Sequence, residues 1–125
     1  MASVLLVEDA FDASEALASY LRKHGHEVRV VGNGREALAA VIMNPPDAVV
    51  LDLFLPEIDG PSFLEVLRLY LRMTSLPVVV LTGLPDSPMV ERARRLKVNS
   101  VLVKGKAGLD DIYQALVQSL HQLPR

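Results

Sequence analysis

Residues 47–56 read Asp47-Ala48-Val49-Val50-Leu51-Asp52-Leu53-Phe54-Leu55-Pro56, an apolar run that reaches one acid, Asp52, and breaks at proline. Unbroken Val and Leu without polar alternation is the pattern of a strand covered on both faces, as in a parallel sheet. Three further runs stop in the same way. Val4-Leu5-Leu6-Val7 meets Glu8 and Asp9, Val78-Val79-Val80-Leu81 meets Thr82, and Val101-Leu102-Val103 meets Lys104. In a parallel sheet these ends share one edge, which then holds three carboxylates, a hydroxyl and an ammonium. Such a set suits a divalent cation and a phosphoryl group.

Between the runs lie helical patterns, giving strand then helix five times over. Strands are expected over 3–8, 27–31, 47–53, 77–81 and 100–103. Asp12-Ala13-Ser14-Glu15 is a capping-box arrangement that opens a first helix carrying Leu17, Tyr20, Leu21 and His24 on one face, with Gly25 ending it. A short helix over 35–43 is closed by Asn44-Pro45-Pro46. The third helix sets Phe63, Leu64, Val66, Leu67, Tyr70 and Leu71 against a polar side of Glu65, Arg68 and Arg72. A polar helix over 87–97 and a last helix burying Leu109, Ile112, Tyr113, Leu116 and Leu120 complete the chain.

Five such units with right-handed crossovers make a three-layer α/β sandwich. Val28 and Val30 alternate with charged neighbours, which suits a wet edge strand, and the most apolar strands belong in the centre. The expected order is therefore 2-1-3-4-5. The first and third strands lie side by side where the winding reverses, the place at which open α/β sheets bind ligands, and Glu8, Asp9 and Asp52 fall there.

The 125 residues are the size of one ordinary domain, 1–125, and their 50% apolar content is enough for a single core. Cysteine is absent, so disulfides and thiolate metal sites are excluded. The start lacks a cationic leader, and no apolar stretch approaches the roughly 18 residues that span a bilayer. A cytoplasmic location is expected, without membrane contact. A net charge of −2 gives no field drawing the domain to nucleic acid, and the basic cluster Arg92, Arg94, Arg95 and Lys97 reads as a solvated helix face.

Three clustered carboxylates are costly. Two unit charges about 5 Å apart at an effective dielectric of about 20 repel by roughly 3 kcal/mol, and there are three pairs. Mg²⁺ takes one or two carboxylates while keeping waters and binding phosphate oxygens, so it is the cofactor expected at an acidic trio open to solvent. Lys104 supplies a second, fixed positive charge.

With these residues in hand, the chain resembles the receiver domain of bacterial two-component response regulators over nearly its full length. The likeness rests on Val7-Glu8-Asp9, on Leu51-Asp52-Leu53-Phe54-Leu55-Pro56 with Gly60 eight residues after the aspartate, on Leu81-Thr82-Gly83, and on Val103-Lys104. It implies a doubly wound, flavodoxin-like fold and a phosphorylation switch. By the same resemblance, Asp52 would be the phosphoacceptor, taking its phosphoryl group from a sensor histidine kinase or histidine phosphotransfer protein. Glu8, Asp9, Asp52 and the Phe54 carbonyl would hold Mg²⁺, Thr82 would hydrogen-bond the phosphoryl group and Lys104 would pair with it. No enzymatic activity beyond slow self-dephosphorylation is implied. The output partner or effector domain, and homodimerisation, are left open, as is whether the chain stands alone or belongs to a longer regulator.

The chain departs from the usual receiver pattern at Val101, where an aromatic residue is customary, and at Gly105, where proline is. Phe54 and Leu84, two residues after the aspartate and the threonine, are apolar and cannot hydrogen-bond an attacking water, which points to slow loss of the phosphoryl group. Two rival readings remain: a receiver-like interaction module that is not phosphorylated, and a small dinucleotide-binding domain suggested by Gly32-Asn33-Gly34-Arg35-Glu36-Ala37 with Asp52 beyond it. A flavin-binding loop is opposed by Glu8 and Asp9, which would repel phosphate. His24, His26 and His121 share no metal-ligand spacing.

Overall fold

The computed structural model describes residues 2–121; Met1 and residues 122–125 lie outside them. Strands β1 (Ser3–Val7), β2 (Glu27–Val31), β3 (Ala48–Asp52), β4 (Val78–Thr82) and β5 (Ser100–Val103) form one parallel sheet in the order β2-β1-β3-β4-β5. This is the expected α/β, flavodoxin-like doubly wound arrangement. Helices α1 (Phe11–Lys23), α2 (Gly34–Met43), α3 (Gly60–Glu65), α4 (Pro88–Arg94) and α5 (Leu109–His121) cover it.

Side chains alternate along each strand. Val4 and Leu6 therefore face a core with Leu17, Ala18, Leu21, Ile112 and Leu116 of α1 and α5. Leu5 and Val7 face the other core, with Ala37, Phe63, Leu64, Val90 and Ala93 of α2, α3 and α4. Among the described residues no helix is long and apolar enough to cross a membrane.

Several expectations need correction. The capping box does not form: α1 starts at Phe11, its N-cap is Ala10 without a side-chain bond, and Asp12 lies inside the first turn. A carboxylate there still favours the helix start through the macrodipole. Leu109 opens α5 as an exposed residue, with Tyr113 and Leu120 only partly buried. Helix α4 is shorter than expected and leaves Lys97 in a turn with φ of 64°.

The largest correction concerns the third helix. Beyond Glu65 the backbone widens into a π turn over Val66–Tyr70, with Leu71 N–H donating to Val66 O at 2.9 Å. Tyr70 is 77% exposed, whereas Arg68, expected on the wet side, is 5% exposed. Residue 68 follows buried Leu67 and lies one turn beyond buried Leu64, so its place in the widened helix puts it inside whatever its charge. The guanidinium is satisfied there by three carbonyls: Leu96 at 2.9 Å, Lys97 at 2.8 Å and Met73 at 2.5 Å. Burial pulls the pKa of Arg68 below its ordinary value. Within the basic cluster, Arg92 reaches Glu65 at 3.6 Å and Asp59 at 4.0 Å, tying α4 to α3.

Candidate metal and phosphoryl site at the carboxyl edge of the sheet

Strand register assembles the site. Val7 pairs with Leu51, so Glu8 stands level with Asp52 at the junction of β1 and β3. Thr82 pairs with Val103, so Lys104 follows one step beyond it. The Lys104 N–H donates to Thr82 O at 2.9 Å, and the Glu8 N–H to Val31 O at 3.0 Å, which extends both ladders to the edge itself.

Lys104 Nζ lies 2.7 Å from Glu8 Oε1 and 3.0 Å from Asp52 Oδ2. Burial pulls the pKa of this ammonium down, but its hydrogen bonds to Glu8 and Asp52 and their charges outweigh that, and the net shift is upward from 10.5. Lys104 therefore stays charged throughout the neutral range. Glu8 and Asp52 are both buried, Asp52 to 4% exposure, while Asp9 is open to solvent. The second oxygen of each buried acid meets a backbone donor: Ala10 N–H to Glu8 Oε2 at 3.1 Å, and Phe54 N–H to Asp52 Oδ1 at 3.2 Å.

One carboxylate oxygen from each of Glu8, Asp9 and Asp52 lies within 4.8 Å of the others. All these donors are hard oxygens, with neither sulfur nor imidazole among them. That chemistry fits Mg²⁺, whose octahedral shell at about 2.1 Å places neighbouring ligands about 3 Å apart and keeps water in the remaining positions. Inward relaxation of modest size would bring the trio to that spacing.

Thr82 is fully buried, and its Oγ accepts the Leu84 N–H at 3.1 Å, which turns the β4–α4 loop over the hydroxyl. Phe54, 42% exposed, and Leu84, 57% exposed, line a cleft of about 480 Å³ together with Pro85, Asp86, Ser87 and Pro88. The sequence placed each acid, Thr82 and Lys104 at this edge, and the structure brings them together there. What the residue pattern left out is that Lys104 bridges two of the carboxylates in the resting site.

The structure gives the dinucleotide motif another explanation. It follows β2, the edge strand, and the space at Gly34 is filled by the backbone of Ile58 rather than open to a pyrophosphate. Val101 is half-buried against the α2–α4 core, as strand packing would have it. Gly105 has φ of 85°, outside the range of a proline ring fixed near −65°. Tyr113 lies between α1 and α5, its ring 4.3 Å from that of His24.

Residues 4–117 match the response regulator receiver domain family. Among similar proteins, the sensory transduction protein RegX3 of Mycolicibacterium smegmatis is 43% identical over 83 residues, covering 66% of this chain and 35% of that one. The DNA-binding response regulator MtrA of Mycobacterium tuberculosis is 38% identical over 84 residues, covering 67% and 36%. The chain thus matches about a third of the length of these relatives. A signal receiver domain of a signal transduction histidine kinase from Syntrophus aciditrophicus superposes with a TM-score of 0.88 at 26% identity, over 100% of this chain and 94% of that one. With three acids, a buried threonine and a lysine gathered at the switch point of a β2-β1-β3-β4-β5 sheet, this chain belongs to the receiver domains of two-component response regulators.

Proposed function

We propose that Asp52 accepts a phosphoryl group from a phosphohistidine on a sensor kinase or phosphotransfer protein, and that the resulting charge switches the binding of an output partner or effector domain. A cytoplasmic setting accompanies this reading. The observation that carries it is the Asp52 carboxylate itself, at the sheet edge within 3.0 Å of Lys104 and beside Glu8 and Asp9. In the transfer an Asp52 oxygen attacks phosphorus, the P–N bond breaks, and its electron pair stays on the imidazole ring. Glu8, Asp9, Asp52 and the Phe54 carbonyl are the residues that would hold Mg²⁺, which supplies charge neutralisation to the phosphoryl oxygens when bound.

Lys104 then exchanges a carboxylate for a phosphoryl oxygen, and the Thr82 hydroxyl donates to another. A phosphoryl group adds about −1.5 to −2 charge and three acceptors, enough to draw both donors toward it. The test is the intact mass after incubation with acetyl phosphate and Mg²⁺. One added phosphoryl group, prevented by chelation of the metal, is expected; no gain would favour the interaction module that is never phosphorylated.

Two expectations concern neighbouring side chains. Lys104 competes with a cation for the same oxygens, so Lys104→Ala should tighten Mg²⁺ binding several-fold while slowing the phosphoryl response. Weaker binding in a calorimetric titration would contradict the proposed arrangement. Phe54 and Leu84 offer no hydrogen bond to an in-line water, so the phosphorylated protein should outlast the range of seconds. Phe54→Asn, which offers one, should shorten its lifetime in a time course of intact mass.

A further inference from the structure

The loop that carries Phe54, residues 53–59, is gripped by glycine at two places. At its far end the Gly60 N–H donates to Leu53 O at 2.9 Å, and a Cβ at position 60 would stand 2.7 Å from Leu53 Cα and 2.9 Å from Asp52 O. At its middle, Ile58 rests on Gly34, the first residue of α2. A Cβ there would overlap the Ile58 carbonyl oxygen and stand 2.8 Å from its carbonyl carbon. Neither glycine has a positive φ, so space and not backbone freedom demands it.

The α2 start is itself firm. The Asn33 side chain accepts the Glu36 N–H at 2.8 Å, whereas the ion pair across the contact, Arg35 Nε to Glu57 Oε1 at 2.8 Å, is exposed at both ends and adds little. Leu55 and Ile58 pack against the same core as β3. The Gly60 end is closed by the Leu53 and Asp52 backbone, so a displacement of Ile58 is expected to be taken up along the loop on the Phe54 side.

We propose that Gly34 is a positioning residue for the cation site: by letting two backbones touch, it sets how far the 53–59 loop closes and where the Phe54 carbonyl stands beside Asp52. This rests on the assignment of Glu8, Asp9, Asp52 and the Phe54 carbonyl as cation ligands. Relieving the overlap would move Ile58 by on the order of 1 Å, and changes in the groups that support metal ligands typically cost about 10- to 100-fold in affinity.

The experiment titrates Mg²⁺ alone into the full chain and follows the amide resonances of folded molecules, so that loss of folded population does not enter the Kd. Wild type must first show saturable shifts at Asp52 and Phe54; if it does not, the ligand assignment fails and not the role of Gly34. Given that binding, Gly34→Ala should raise the Kd about tenfold, while Arg35→Ala, which removes only the exposed ion pair, should stay within twofold. A rise of less than about fivefold in Gly34→Ala overturns the proposal. Should that variant hold too little folded protein, wild type decides: the Gly34 and Ile58 amides should track the same isotherm as Phe54, and their failure to move overturns it.

Discussion

Asp52→Asn is expected to leave no phosphoryl incorporation from acetyl phosphate or from a phosphorylated kinase, with an intact mass equal to that of untreated protein. The amide keeps the shape of the side chain, but its single oxygen can accept from Phe54 N–H or from Lys104 and not from both, and it offers phosphorus no anionic oxygen. Loss of folding would not account for that result. Glu8 and Asp9, within 4.8 Å, each repel Asp52 by roughly 3 kcal/mol at an effective dielectric of about 20, while Lys104 at 3.0 Å attracts it by roughly 5 to 6 kcal/mol, so removing its charge should leave stability little changed. The urea midpoint measures this directly. Full incorporation in the variant would move the acceptor elsewhere and end the assignment.

The second large effect lies far from chemistry. Arg68→Leu should destabilise the fold by about 3 kcal/mol, because the part-buried carbonyls of Leu96, Met73 and Lys97 would together lose their shared charged donor. In a domain of this size that corresponds to a Tm lower by roughly 10 °C, read by a thermal melt. Arg68→Lys should recover little, since one ammonium cannot reach three carbonyls in the plane that a guanidinium spans. A Tm within about 2 °C of wild type in the leucine variant would show that water or relaxation replaces the lost bonds.

The sheet order and the membership of the site were legible because both depend on where apolar runs stop. Uninterrupted Val and Leu marks β1, β3 and β4 as central, and in a parallel sheet the residue after each run lands on the same edge. Asp52, Thr82 and Lys104 were therefore placed by counting alone. A charge at Arg68 suggests solvent, but its place one turn beyond Leu64 in the widened helix puts it inside, and carbonyls distant in sequence satisfy it. The Asp12 capping box failed for a similar reason. A cap is defined by backbone angles at Ala10, which side-chain pattern does not report. Gly34 was noticed for its spacing, yet its reason is Ile58, twenty-four residues away, and no local pattern contains that contact.

The grip of Arg68 on the carbonyls of Leu96 and Lys97 also sets the mechanics of α4. That helix is a rod with a fulcrum at its carboxyl end, while its other end hangs from the loop that leaves Thr82. Movement of this loop is therefore expected to displace α4 most near Pro88 and least toward Arg94.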